Sequence, residues 1–246
     1  MATGLGHSGI AWLAAGLLAA GTGFSGMARA QSSCSSDGQS RPVALLERFI
    51  NADCADCWTD PLSSRSGRGE LALDWVLPGK RGDEAPLSVV ATRDALKRLE
   101  VLGLPTPAGN ASRKTPVDGG SGTLRVAHGV PVSAYIGASI AFRDTPRKNA
   151  GQSWTAWLAL VETIPAGTEG TPIPRNLVRN LVQATWTGRE KLSKEEQIHL
   201  IETRSMDVPP GMNTERAKVI GWVQDGQGRV IAAAQSRCTA DRARPR

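Results

Sequence analysis

The chain has 246 residues, a formal charge of +6, 40% hydrophobic and 21% charged residues, 27 Gly and 15 Pro. That balance excludes a disordered chain, a collagen repeat and a membrane protein with several apolar runs of about 18 or more residues. The Lys and Arg residues are scattered and not clustered, so a nucleic-acid footprint is not expected.

Residues 1–30 read as a signal peptide. Ile10 to Ala20 (IAWLAAGLLAA) is too short to span a bilayer, and Ala28-Arg29-Ala30 supplies a small-x-small cleavage pattern before Gln31. No later stretch suits a stable membrane anchor, so the expected location is the periplasm or the medium. Residues 31–40 are Ser/Gly/Gln-rich and read as a linker. Pro42 to Ile50 (PVALLERFI) predicts a strand leading directly into Cys54-Ala55-Asp56-Cys57, and Leu71 to Leu77 (LALDWVL) a second strand ended by Pro78-Gly79. Ala95, Leu96, Leu99 and Leu102 recur at helical spacing before Gly103, predicting a helix over 92–102.

Residues 105–122 are rich in Pro and Gly and predict a loop. Beyond it, Thr123 to Val126 and His128-Gly129-Val130-Pro131 suggest a strand entering a proline turn, followed by a hairpin through Phe142. Trp154 to Ile164 and Arg175 to Trp186 predict strands. Ala217 to Gln224 and Arg229 to Gln235, joined by Asp225-Gly226-Gln227-Gly228, predict a hairpin. Ser193-x-x-Glu196 is a capping-box pattern that opens a helical candidate through Ile201, although the same residues would also continue a strand. Trp154, Trp157, Trp186 and Trp222 fall inside strand patterns and are expected in the core.

Export gives the four cysteines, Cys34, Cys54, Cys57 and Cys238, a compartment where disulfides persist. Spacing favours Cys54 with Cys57, which leaves Cys34 for Cys238 in a bridge that ties the two ends of the mature chain. A free or intermolecular Cys34 is the alternative. Zinc is not expected, since a structural site takes four ligands, no second Cys-x-x-Cys exists, and only His128 and His199 lie beyond the signal segment. Haem attachment would need His after the second Cys, where Trp58 stands. No cofactor and no metal are expected.

Cys-x-x-Cys after a strand suits thiol-disulfide exchange: one thiolate attacks and a second sulfur one turn on resolves the mixed disulfide. A small structural clip is the competing reading. With Gly129-Val130-Pro131-Val132 downstream, the sequence resembles the thioredoxin superfamily. Over residues 43–235 it also resembles a family of secreted bacterial thioredoxin-like proteins of unassigned function, through Leu46, Glu47, Phe49, Cys54, Cys57, Asp74, Trp75 and Val178-Arg179. Asp53 before the pair and Trp58 after it depart from the usual pattern.

The resemblance implies an α/β thioredoxin-like domain at 41–150, a β-rich C-terminal extension at 151–240 and a tail at 241–246. It implies Cys54 as nucleophile, Cys57 as resolving thiol, and Val130 with a cis Pro131 as the substrate-contact loop. Glu47 is a candidate proton relay beneath the pair. The partners would then be protein thiols or disulfides, and the alternative is a non-enzymatic binding or assembly protein. Asp53 and Asp56 flank Cys54 and oppose its thiolate, which predicts a potential nearer about −270 mV than −120 mV.

Overall fold

The computed structural model describes residues 34–120, 122–144, 153–187 and 198–238. The predicted signal peptide, the 241–246 tail and the start of the Ser193 helical candidate lie outside the described residues. In chain order the elements are β1 (Cys34–Ser35), β2 (Ala44–Asn51), α1 (Ala55–Thr59), β3 (Glu70–Leu77), α2 (Arg93–Leu102), β4 (Asn110–Pro116), β5 (Thr123–Val132), β6 (Tyr135–Asp144), β7 (Ser153–Ile164), β8 (Arg175–Thr187), β9 (Ile198–Asp207), β10 (Ala217–Gln224), β11 (Val230–Gln235) and β12 (Arg237–Cys238).

These strands form a five-stranded sheet, β12-β1-β5-β6-β9, and a seven-stranded sheet, β11-β10-β7-β8-β3-β2-β4. β2 runs parallel to β3, β3 parallel to β8, and β4 antiparallel to β2. The seven-stranded sheet is buried on both faces around β7, which is why Trp154 to Val161 is apolar at every position but Thr155. Trp154, Ala156, Leu158 and Leu160 face the five-stranded sheet, packing in one cluster with Val126, Ile140 and Phe142. Trp157, Ala159 and Val161 alternate onto the other face, where they join Leu45, Phe49, Leu73 and Trp75 under Ala95 and Leu99 of α2. The sheets meet closely at Gly221 of β10. A Cβ there would stand 2.6 Å from Val126 Cγ1 and 2.9 Å from Ile140 Cδ1, inside any tolerable contact, so the absent side chain sets the spacing.

α2 begins where Thr92 Oγ1 accepts the Ala95 N–H at 3.2 Å and closes where the Leu104 N–H reaches Leu99 O at 3.0 Å. The β10–β11 hairpin turns where expected, with Gly228 N–H donating to Asp225 O at 2.9 Å. The four tryptophans expected in the core are buried.

The expected α/β thioredoxin-like domain with a separate β-rich extension is not what forms. The protein is 52% strand against 13% helix, with two α-helices among the described residues, one of them five residues long. The boundary expected at 150/151 is crossed by one sheet, because β7 and β8 join β3 and β2 in a continuous ladder, and the described residues all belong to a single compact unit. The expected 31–40 linker contains β1 and the expected 105–122 loop contains β4, while at Ile198 to Ile201, read as either helix or strand, it is the strand that forms, as the start of β9. Each of these corrections has one cause: short or polar segments become strands when a distant strand supplies the ladder, and that partner is not a local property.

Candidate functional site

Cys54 follows β2 and caps α1, its Sγ accepting the Cys57 N–H at 3.2 Å. The two cysteines form a disulfide. Cys54 is half-buried and Cys57 buried, so the first cysteine is the more accessible of the two. Cys57 packs with Ile50, Ala52, Trp58 and Val76. Asp53, next to Cys54 in sequence, turns its carboxylate to the backbone N–H groups of Lys80 (2.7 Å) and Arg81 (3.2 Å).

The segment that meets the sulfur pair is the stretch before β4. Asn51, the last residue of β2, donates from Nδ2 to Pro107 O at 3.1 Å and from its backbone N–H to Gly109 O at 2.7 Å. This draws Gly109 against the disulfide. A Cβ at Gly109 would lie 3.2 Å from Cys57 Sγ and 3.8 Å from Cys54 Sγ. The residue facing the pair is therefore Gly109, which sequence reasoning left in a loop. The signal was Pro105-Thr-Pro-Ala-Gly109 just ahead of a strand, masked because Asn110–Pro116 (NASRKTP) has no apolar alternation.

Val130 and Pro131 do not occupy that position. They lie in β5 of the five-stranded sheet, Pro131 is paired with Ile136, and no peptide bond among the described residues is cis. β1 pairs with β5 only at Ala127 and His128. Pro131 thus falls beyond that ladder, where a missing N–H is tolerated. Glu47 is not beneath the cysteines either. It shares the α2-side face of β2 with Leu45 and Phe49, whereas Ile50, on the other face, packs with Cys57. Both Glu47 oxygens accept from Arg98 of α2, at 2.7 and 2.8 Å. The Arg98 guanidinium lies over the rings of Trp157 and Trp222 at 5.1 and 5.0 Å, an environment that neutralises Glu47 as a structural ion pair.

A second buried ionic network supports the far end of α1. Asp74 of β3, with no exposed surface, accepts from Arg48 Nε and Nη2 (both 2.7 Å), from Arg175 Nη1 (3.0 Å) and from the Asn176 N–H (2.8 Å). Arg175 also donates to Trp58 O at 2.8 Å and lies over the Trp58 ring at 4.7 Å. Placing a cation on the last carbonyls of α1 complements the negative end of the helix. Burial pulls the Arg175 guanidinium below its ordinary value, and the neighbouring Asp74 opposes that. Sequence singled out Asp74 without pairing it with either arginine.

The expected Cys34–Cys238 bridge is present, closing a sequence separation of 204 residues. Among the described residues, one group of three potential metal ligands comes together, and it is Cys34, His128 and Cys238. No helix among the described residues is long and apolar enough to cross a membrane.

No protein-family model matches this chain, and no curated protein matches it. Among solved structures it is similar to HBP35 of Porphyromonas gingivalis, with a TM-score of 0.42 and 11% identity over 85% of this chain and 78% of that one. A likeness that loose bears on neither fold nor site.

Proposed function

We propose that the protein is an exported thiol-disulfide oxidoreductase acting on protein thiols or disulfides, with Cys54 as the attacking sulfur and Cys57 as the resolving one. The observation that carries this is the asymmetry of the pair: Cys54 is partly open to solvent, Cys57 is buried, and Gly109 leaves the sulfurs uncovered by any side chain of its own. A mixed disulfide would form at Cys54 with the electron pair passing to the leaving thiolate. Cys57, held one turn away, would then displace the partner as a thiol and restore the intramolecular bond.

Among the described residues no guanidinium or ammonium donates to either sulfur, and the one bond to Cys54 Sγ is the Cys57 N–H. With a helix of five residues and Asp56 exposed beside it, the thiolate has little stabilisation. The pair should therefore sit toward the reducing end, about −270 mV, and not near −120 mV. Equilibration in dithiothreitol buffers followed by alkylation and mass analysis tests both statements. A Cys54–Cys57 pair that titrates reversibly while tryptophan fluorescence stays native supports the proposal, and one that resists reduction until the protein unfolds overturns it.

A second reading, a non-enzymatic binding protein, draws on a different observation. A cleft of about 410 Å³ opens between Arg41, Arg125 and Arg143 above Phe142, Ala232 and Ala233, and its lining includes neither Cys54 nor Cys57.

A further inference from the structure

Cys34 of β1 stands opposite His128 of β5 on one side and opposite Cys238 of β12 on the other. Three neighbouring strands thus deliver two sulfurs and an imidazole to one place. A ring nitrogen of His128 and the two sulfurs lie within 4.8 Å of one another. His128 is 5% exposed, and its Nε2 is buried with no hydrogen-bond partner. Nδ1 lies 2.9 Å from Gly129 O. A carbonyl oxygen only accepts, so Nδ1 carries the proton and Nε2 of the neutral ring keeps an unused lone pair. Buried polar atoms normally find a partner, and one that does not calls for an explanation.

We propose that the Cys34–Cys238 disulfide masks a redox-gated metal site, and that its reduction creates a Cys2His centre for a zinc-class divalent ion with His128 Nε2 as the nitrogen ligand. The reductant is a dithiol. It delivers two electrons and two protons, the Cys34–Cys238 S–S bond breaks to two thiols, and the dithiol becomes a disulfide. The ion then displaces both thiol protons to solvent as two metal–sulfur bonds and one metal–nitrogen bond form. Two thiolates cancel the dipositive charge, so a buried site of this composition has no net charge to desolvate.

Zinc holds sulfur at about 2.3 Å and imidazole nitrogen at about 2.0–2.1 Å. Three ligand atoms already within 4.8 Å need only small shifts to meet that geometry, and β1 and β12 are two-residue strands with little ladder to resist them. The Nδ1–H bond to Gly129 is the outer-shell contact that orients a metal-binding histidine before any ion arrives. Cys238 is half-buried where Cys34 is buried, so the fourth position opens on the Cys238 side, to water. The expectation of no zinc rested on finding four ligands in one sequence pattern. Three ligands with an open position, one of them 94 residues from its nearer sulfur partner, fall outside that rule.

The test uses the full chain carrying Cys54→Ser and Cys57→Ser, so that the other thiol pair cannot bind metal. Cobalt(II) is added before and after reduction with a phosphine, and thiolate-to-cobalt charge-transfer absorption is read together with tryptophan fluorescence. The expected result is no band in the oxidised protein, one equivalent bound after reduction, displacement by zinc, and affinity weaker by about tenfold or more in His128→Gln. The His128→Gln chain should still form its disulfide and fold when oxidised. If the reduced protein unfolds, refolding on metal addition supports the proposal and failure to refold overturns it. A folded reduced protein without a charge-transfer band, or binding unaffected by His128→Gln, also overturns it.

Discussion

Glu47 and Asp74 show how the same residue type takes its role from the face it lands on. Both are fully buried carboxylates on adjacent parallel strands, and each is held by arginine: Glu47 by Arg98 on the α2 side, Asp74 by Arg48 and Arg175 on the side that carries α1. Because Glu47 is committed to Arg98, Glu47→Gln should leave the Cys54–Cys57 potential unchanged. It should destabilise the fold by about 3–5 kcal/mol, since it strands a buried guanidinium. Redox titration and urea unfolding of the one variant check both halves, and a shifted potential would restore the relay role. Glu70 gives the pH counterpart at the surface. Its carboxyl lies below the ordinary 4.5, first because Lys114 donates to it and then because the Gly67 N–H does. A carboxyl lowered on folding contributes stability that is fully present above its unfolded value. That contribution is lost as pH falls through the lower folded value. Lys114→Ala should raise the Glu70 midpoint toward 4.5 in a chemical-shift titration and weaken the acid dependence of unfolding; an unmoved midpoint would assign the shift to Gly67 alone.

At the scale of elements, what was legible tracks where the apolar side chains are. β2, β3, β7, α2 and the β10–β11 hairpin carry their own periodicity or turn chemistry, and each forms where the sequence predicts it. β4 carries none: six of its seven residues are exposed, and it is a strand because β2 offers it seven ladder positions. Two proline-containing stretches, at 105–107 and at 131, precede or enter strands, and local sequence cannot say which of the two strands will pair with β2 next to the cysteines. Long-range pairing chose β4, which put Gly109, not Val130, against the sulfurs. Gly109→Val follows from this. Its side chain would begin 3.2 Å from Cys57 Sγ in a loop pinned by Asn51, so reduction of Cys54–Cys57 by dithiothreitol should slow several-fold through lost access. Pro131→Ala should leave that rate as it is. Equal effects of the two substitutions would reinstate the β5 proline loop as the segment over the pair.

For the whole molecule, the two disulfides constrain very different lengths of chain, and that difference separates the roles assigned to them. Cys34–Cys238 spans a separation of 204 residues and Cys54–Cys57 a separation of 3. Loop-closure entropy then assigns the first about 5 kcal/mol and the second about 2 kcal/mol, by restricting the unfolded chain. The long bridge also joins β1 to β12, which meet over only two residue pairs, so little else holds those strands together. The short one lies inside a segment already fixed by Asn51, Asp53 and the Arg175 contact to Trp58. A chain with Cys34→Ala and Cys238→Ala should therefore lose more stability in urea than one with Cys54→Ala and Cys57→Ala, by about 3 kcal/mol, and should unfold with the steeper denaturant slope, since its unfolded chain is no longer held compact. A pair that turns over in catalysis has to cycle between dithiol and disulfide without carrying the fold, whereas at Cys34–Cys238 a bound ion would replace the bridge as the tie, so the smaller loss is what the oxidoreductase proposal requires of Cys54 and Cys57. If their removal instead cost as much as opening the 204-residue loop, the pair would be acting as a structural clip, and the arginine-rimmed cleft would become the better place to look for function.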